Sequence, residues 1–258
     1  MRVVILAGGY GTRICEESQF MPKPMIEIGG KPILWHIMKQ YSHFGFSDFV
    51  ICAGYRQHVI KEYFANYFLN SSDVTFDFRN GTGDITINRT ESEPWKVTVV
   101  DTGMDTMTGG RVKRIKDYIG GETFFLTYGD GVSDVDIGRL LDFHRKHGKA
   151  VTVMAYNPGQ RFGTLSLGAD GVVRSFREKA EGDGYLINAG FMVCEPRFID
   201  YIDGDDTVLE KSPMDKAVSE EQVVAYKHGG FWQCMDTMRE RQSLESLWAS
   251  GAAPWKVW

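Results

Sequence analysis

The sequence has no cysteines at metal-ligand spacing, no long apolar run and no excess of positive charge, and each absence removes a class of function. Its four cysteines, Cys15, Cys52, Cys194 and Cys234, are scattered with no C-x-x-C pair. Neither a zinc site nor a disulfide scaffold is expected, and a reducing cytoplasm fits best. The apolar start Val3 to Ala7 stops after five residues at Gly8-Gly9. That is too short for a signal-peptide core or a membrane span, and no later stretch approaches one. A formal net charge of −5 argues against a nucleic-acid binder, which needs a clustered basic face. A small anionic substrate is compatible with that charge, because a few placed Lys and Arg residues plus a metal ion hold phosphate locally. There is no internal repeat, and in particular no hexapeptide β-helix pattern at the C-terminus.

What is present reads as an ordinary globular chain of 258 residues, 43% hydrophobic and 24% charged. Arg2 to Ala7 is a β-branched apolar run ending abruptly in glycines, which predicts a buried parallel strand feeding a tight turn. Ile33 to Phe44 has helical spacing, with Pro32 near its first turn and Gly45 as a stop. A strand over 48–53 and a helix over 59–68 follow. This β-loop-α-β-α alternation implies an α/β fold with a parallel sheet, helices on both faces and ligands outside the carboxyl ends of the strands. Residues 74–80 and 84–89 flank Gly81-Thr82-Gly83 and predict an inserted β-hairpin. Further strands are expected at 98–101, 123–127, 150–156 and around Leu165 and Val172. Helices are expected at 137–147 and near 240–249. No linker-like composition divides the chain, so residues 1–258 are expected to form one domain.

Leu6-Ala7-Gly8-Gly9-Tyr10-Gly11-Thr12-Arg13 places three glycines, a hydroxyl and a guanidinium directly after the first strand. Such a loop lets backbone N–H groups approach phosphate, and the arginine adds a fork of donors. It is neither a Walker A loop nor a G-x-G-x-x-G fingerprint. Taken alone it is also compatible with a structural turn. In Pro22-Lys23-Pro24-Met25 the two prolines are expected to hold the backbone extended and aim Lys23, which suits phosphate; a solvated lysine in a proline turn is the alternative. Tyr128-Gly129-Asp130-Gly131 again ends a strand in glycine and a carboxylate, and an Asp in such a turn is either a turn former or a metal ligand. The six histidines share no spacing for a metal or a triad and are read as structural or surface residues. Trp232, Trp248, Trp255 and Trp258 are read as core or subunit contacts.

The first two segments together resemble the amino-terminal signature of the sugar nucleotidyltransferase family. The resemblance continues through Val99-Val100-Asp101-Thr102-Gly103, Thr108-Gly109-Gly110-Arg111, Tyr128 to Gly131, Glu178-Lys179, Asn188-Ala189-Gly190, Phe231-Trp232-Gln233, Met235-Asp236-Thr237 and Ala253 to Lys256. It spans essentially the whole chain and is similar in order and spacing to the members that pass a cytidylyl group to glucose 1-phosphate. It implies a Rossmann-like, mixed and mainly parallel sheet, with CTP and a sugar 1-phosphate as substrates and Mg2+ as cofactor. By the same resemblance, Asp130 and Asp236 hold the metal, and Arg13, Lys23 and Asp130 carry the catalysis. Nucleotide contacts fall to Leu6, Ala7, Gly8, Gly9, Gly11, Thr12, Arg13, Lys23, Thr108, Gly109, Gly110, Arg111, Gly129 and Asp130, with Gly8, Gly9, Gly109 and Gly110 lining the base and ribose. Lys179 takes the sugar phosphate, and Tyr128, Glu178, Asn188 and Gly190 complete the sugar side. Assembly into hexamers and a place in cell-surface sugar synthesis are also implied.

Two positions depart from the commonest family pattern: Met21 stands where many relatives have lysine, and Ala180 where proline is usual. The first removes a cation and the second loosens the loop carrying Lys179. The rival readings are a uridylyl- or thymidylyltransferase for another hexose 1-phosphate, and a non-catalytic nucleotide-sensing relative.

Overall fold

The computed structural model describes residues 1–11, 21–79, 81, 83–159, 164–167, 173–177 and 186–258, of which 164–167 and 173–177 are described by backbone alone. Seven strands form the central sheet: β1 (Val3–Ala7), β2 (Asp48–Ala53), β3 (Lys96–Asp101), β4 (Phe124–Tyr128), β5 (Val151–Tyr156), β6 (Ile187–Cys194) and β7 (Val223–His228). Across the sheet their order is β7-β5-β6-β4-β1-β2-β3. Strand β6 is antiparallel to both neighbours and every other pairing is parallel. The mixed, mainly parallel α/β expectation is borne out.

Strand β1 is central because its side chains are apolar on both faces. Its odd residues Val3, Ile5 and Ala7 enter one core cluster and its even residues Val4 and Leu6 the other, as the two-residue period of a strand requires. Each such side chain, when buried, contributes about 1.5–3 kcal/mol. Helices α1 (Ile33–His43), α2 (Gln57–Asn70), α5 (Ile137–His147) and α7 (Met238–Ala249) cover the first face, and α3 (Thr108–Arg114), α4 (Lys116–Ile119) and α6 (Ser212–Ser219) the second. Helix α1 ends as its sequence predicts. Gly45 takes φ +88, and Phe46 N–H donates to Tyr41 O at 3.0 Å.

Ser72–Asp77 and Asp84–Thr90 pair as the expected antiparallel hairpin. Among the described elements with no counterpart in the sequence reading are α3, whose two glycines depress helix propensity, the short α4, α6 and the edge strand β7. No described helix is long and apolar enough to cross a membrane.

His36 shows how the carboxyl-terminal tryptophans are used. The side chain is fully buried, its Nε2 lies 2.8 Å from Ile28 O, and Trp255 Nε1 donates to its Nδ1 at 3.4 Å. The Trp248 ring meets it edge-on at 4.7 Å. Burial pulls the imidazole down to about 4 from its ordinary 6.5. The unfolded chain therefore binds the extra proton between those values, so this contribution is full above pH 6.5 and is lost as pH falls toward 4. The loss is about 3 kcal/mol. In urea titrations, the stability gap between the protein and a His36→Gln variant should narrow steadily from pH 7 to pH 4.5; a constant gap would contradict this.

Candidate active site

A cleft of about 590 Å³ opens beyond the carboxyl ends of β1 and β4, where the parallel pairing brings Leu6 beside Tyr128. Its floor is the glycine turn 8–11 and Gly129, and its far wall is the 104–108 segment that follows β3. Gly129 is small for a reason visible in the packing: its N–H donates to Leu6 O at 2.9 Å, and a Cβ there would stand 2.9 Å from Pro24 Cγ.

Three local structures converge on a triad of charges. Lys23 begins a single 3-10 turn, Lys23–Met25, closed by Met25 N–H donating to Pro22 O at 2.8 Å. This corrects the extended backbone expected between the prolines. Pro24 sits in the first turn, where no N–H is needed, so the turn tolerates it despite the bias of pre-proline residues away from helix. Asp130 and Asp236 come together through a two-stranded ribbon, Gly131–Ser133 against Trp232–Cys234, in which Gly131 faces Cys234 and Met235 N–H donates to Asp130 O at 2.8 Å. The capping box of α7 then holds Asp236: Glu240 accepts from the N–H groups of Asp236 and Thr237 at 2.8 and 2.9 Å.

The Lys23 ammonium donates to Asp130 Oδ2 at 2.6 Å and to Asp236 Oδ1 at 2.5 Å. Desolvation pulls against the charge on Lys23, but the two carboxylates outweigh it and hold its pKa above the ordinary value. Both carboxylates remain about one-third exposed toward the cleft, at 31% and 30%.

Two acidic oxygens converging on one cation are the donor set expected for a hard divalent ion. Among the described residues no cluster of three or more His, Cys, Asp or Glu could cage a metal unaided. Mg2+ needs no such cage, since one or two carboxylates suffice when substrate phosphates and water supply the rest.

Arg111 was expected to meet the nucleotide directly. It lines the cleft, but its buried guanidinium is committed to five neutral oxygens: Gly8 O, Ala53 O, Gly103 O, Met104 O and Thr102 Oγ1, at 2.7 to 3.4 Å. Gly8 lacks a side chain because a Cβ would fall on that guanidinium. Burial, the largest influence, pushes the Arg111 pKa down.

Gly109 and Gly110, which the resemblance assigns to base and ribose, stand between the cleft-lining residues Thr108 and Arg111. Both sit in α3 against other backbone: a Cβ on Gly109 would be 2.7 Å from Thr207 O, and one on Gly110 would collide with Asp205 O. What their missing side chains admit is the 205–209 chain. Asn188 and Gly190 lie on β6, outside the cleft lining. Asn188 is exposed and accepts from Gly190 N–H at 2.9 Å, and Gly190, at φ +80, leaves room for the Tyr128 ring. Thr12, Arg13, Glu178, Lys179 and Ala180 lie outside the described residues. Met21 packs against the core.

The cleft also contains residues that the sequence reading missed: Tyr10, Pro24, Met104, Asp105, Thr106 and Met107. A signal existed for the last four, since they follow the carboxyl end of a parallel strand. Glu210 was missed as well. It accepts hydroxyl hydrogen bonds from Tyr128 and, at 2.8 Å, from Thr108, tying together two walls of the cleft.

Comparison with known proteins places these residues in a context. Residues 2–233 match the Nucleotidyl transferase family. The chain is 54% identical, over all of both sequences, to the glucose-1-phosphate cytidylyltransferase of Salmonella typhimurium. It is 41% identical, again over both full lengths, to a Bacillus subtilis protein named as a probable glucose-1-phosphate cytidylyltransferase. Among solved structures, HddC from Yersinia pseudotuberculosis complexed with GMP-PN superimposes with a TM-score of 0.69 at 20% identity, covering 96% of this chain and 99% of that one.

Proposed function

Since this chain belongs to the nucleotidyl transferase family, we propose that it transfers the cytidylyl group of CTP to α-D-glucose 1-phosphate, giving CDP-glucose and pyrophosphate. The observation that carries the choice of substrates is the 54% identity across the full length of a glucose-1-phosphate cytidylyltransferase. The geometry supplies a matching chemistry.

A phosphate oxygen of the sugar phosphate attacks the α-phosphorus in line, a new P–O bond forms, and the bond to the β-phosphate breaks with its electron pair leaving on pyrophosphate. No covalent enzyme intermediate is required, so the protein's work is positioning two anions and stabilising charge. Lys23 is assigned to the nucleotide phosphates, which is supported by its position in the cleft, held by Asp130 and Asp236, with a raised pKa that keeps it charged. Asp130 and Asp236 are the residues that would hold Mg2+, which when bound neutralises triphosphate charge and polarises the reacting phosphoryl group. The glycine turn at 8–11 exposes backbone toward the same cleft. Arg13 is assigned to the nucleotide phosphates, Lys179 to the sugar phosphate, and Glu178 and Asn188 to sugar hydroxyls, by family pattern. Cytoplasmic location, a hexameric assembly and supply of CDP-glucose to cell-surface sugar synthesis complete the proposal.

The test is pyrophosphate release by the purified protein with Mg2+ and glucose 1-phosphate, comparing CTP, UTP, dTTP and ATP. Release with CTP at least about 100-fold faster than with the others is expected, as a site that hydrogen-bonds one base leaves buried groups unpaired with another. Preference for UTP or dTTP would move the protein to the rival transferases, and release with none would overturn the assignment.

A further inference from the structure

We propose that Tyr10 and Asp105 form a positioning clasp, which fixes the width of the nucleoside end of the cleft before the nucleotide binds. This rests on the nucleotidyl-transfer reading of the cleft. The two ends of the cleft differ in kind. One carries Lys23, Asp130 and Asp236 and suits phosphates. The other lies between the 8–11 turn and the 104–107 segment, where among the described residues Arg111 is the cation and its donors are already spent on backbone and Thr102. A base and ribose fit there.

The two lips of that end come from loops after different strands and are tied at two depths. At the base, Arg111 joins Gly8 O on one lip to Gly103 O and Met104 O on the other. At the mouth, Tyr10 Oη donates to Asp105 Oδ1 at 2.8 Å, a contact between residues 95 apart in sequence. Tyr10 is held from behind: its ring meets that of Tyr55 at 5.3 Å, and Tyr55 is fixed by its N–H donating to Gly8 O at 3.2 Å and by Arg56 stacking over its ring at 5.6 Å. The opposite lip pivots at Gly103, which has φ +86, and carries two exposed methionines, Met104 and Met107. That lip is anchored at Met104 O by Arg111 and at Met107, whose N–H donates to Asp205 O at 2.9 Å, so the phenol secures the exposed residue between the two anchors.

The clasp is compatible with an occupied site. With the hydrogen bond made, the cleft still encloses about 590 Å³, within the range of small-molecule sites. Tyr10 therefore pre-orders the mouth without plugging it, and pre-ordering appears in affinity because the cost of fixing a loop is met before binding.

The experiment is calorimetric titration with CTP alone, alongside steady-state kinetics. Tyr10→Phe should weaken CTP binding and raise the KM for CTP about five- to tenfold, the net value of one ordinary hydrogen bond, since this contact is exposed to water. The kcat and the KM for glucose 1-phosphate should stay within about twofold, since the phosphate end is untouched. Asp105→Ala should match it, Asp105→Asn, which keeps the accepting oxygen, should recover most of the loss, and the double variant should be no worse than the weaker single. CTP binding by Tyr10→Phe equal to or tighter than wild type, or additive losses, or a parallel rise in both KM values with a lowered Tm, would each overturn the clasp. Wild type that binds CTP yet releases no pyrophosphate would overturn the proposed reaction while leaving the titrations to decide the clasp. Wild type that binds no CTP would sink both.

Discussion

Replacing Asp130 or Asp236 by asparagine should lower kcat for pyrophosphate release about 10²- to 10³-fold and leave the fold intact. The two carboxylates share one ammonium at 2.6 and 2.5 Å, and each faces the cleft with about a third of its surface. Asparagine keeps the shape and one accepting oxygen but removes the charge that a divalent ion and Lys23 both use. Because the carboxylates act on the same cations, the double variant should be little worse than either single one. Circular dichroism melts should place the variants within about 3 °C of wild type, as expected for partly exposed groups. A variant retaining a tenth or more of wild-type kcat would remove that aspartate from the reaction, whatever its geometry.

The second large effect is on stability. Arg111→Met should lower the free energy of unfolding by about 3 kcal/mol, because the buried guanidinium's bonds to Gly8 O, Gly103 O, Met104 O and Thr102 Oγ1 are all lost, and of the three carbonyls Gly8 O keeps a donor, Tyr55 N–H. For a chain of this size that corresponds to a fall in Tm of roughly 6–12 °C. Lysine should rescue little of it: a single ammonium cannot reproduce a fork that reaches oxygens on two loops and Thr102. Differential scanning calorimetry of Arg111→Met and Arg111→Lys decides the point. A Tm unchanged in either would mean that the two loops hold their spacing without the guanidinium.

The central strands were legible because their residues are apolar on both faces and their ends are punctuated by glycine, as in 3–7 and 48–53. Helix α5 was legible from its spacing, with Asp136 capping at the front and Gly148 at the back. Helix α3 was not, since glycines at its first turn suggested a ligand loop; only the carbonyls of Asp205 and Thr207, about a hundred residues away, explain them. The same limit applies to the site. Asp130 and Lys23 stood in motifs a reader could single out, but that one ammonium bridges Asp130 and Asp236 follows from a ribbon register and a capping box. Glu210 carries no local signal beyond its chemistry, and although Tyr10 and Asp105 each follow the end of a parallel strand, their pairing is set by tertiary placement.

Lys23 meets one of its carboxylates 107 residues downstream and the other 213 residues downstream. During synthesis the lysine and the glycine turn emerge long before the second acid, which lies 213 residues downstream of the lysine. Most of the sheet can pair before then, yet the charge triad cannot close, and closing contacts so distant in sequence is intrinsically slow. A chain interrupted between residue 228 and Asp236 thus has all seven strands of the central sheet and lacks one of the two carboxylates that hold Lys23.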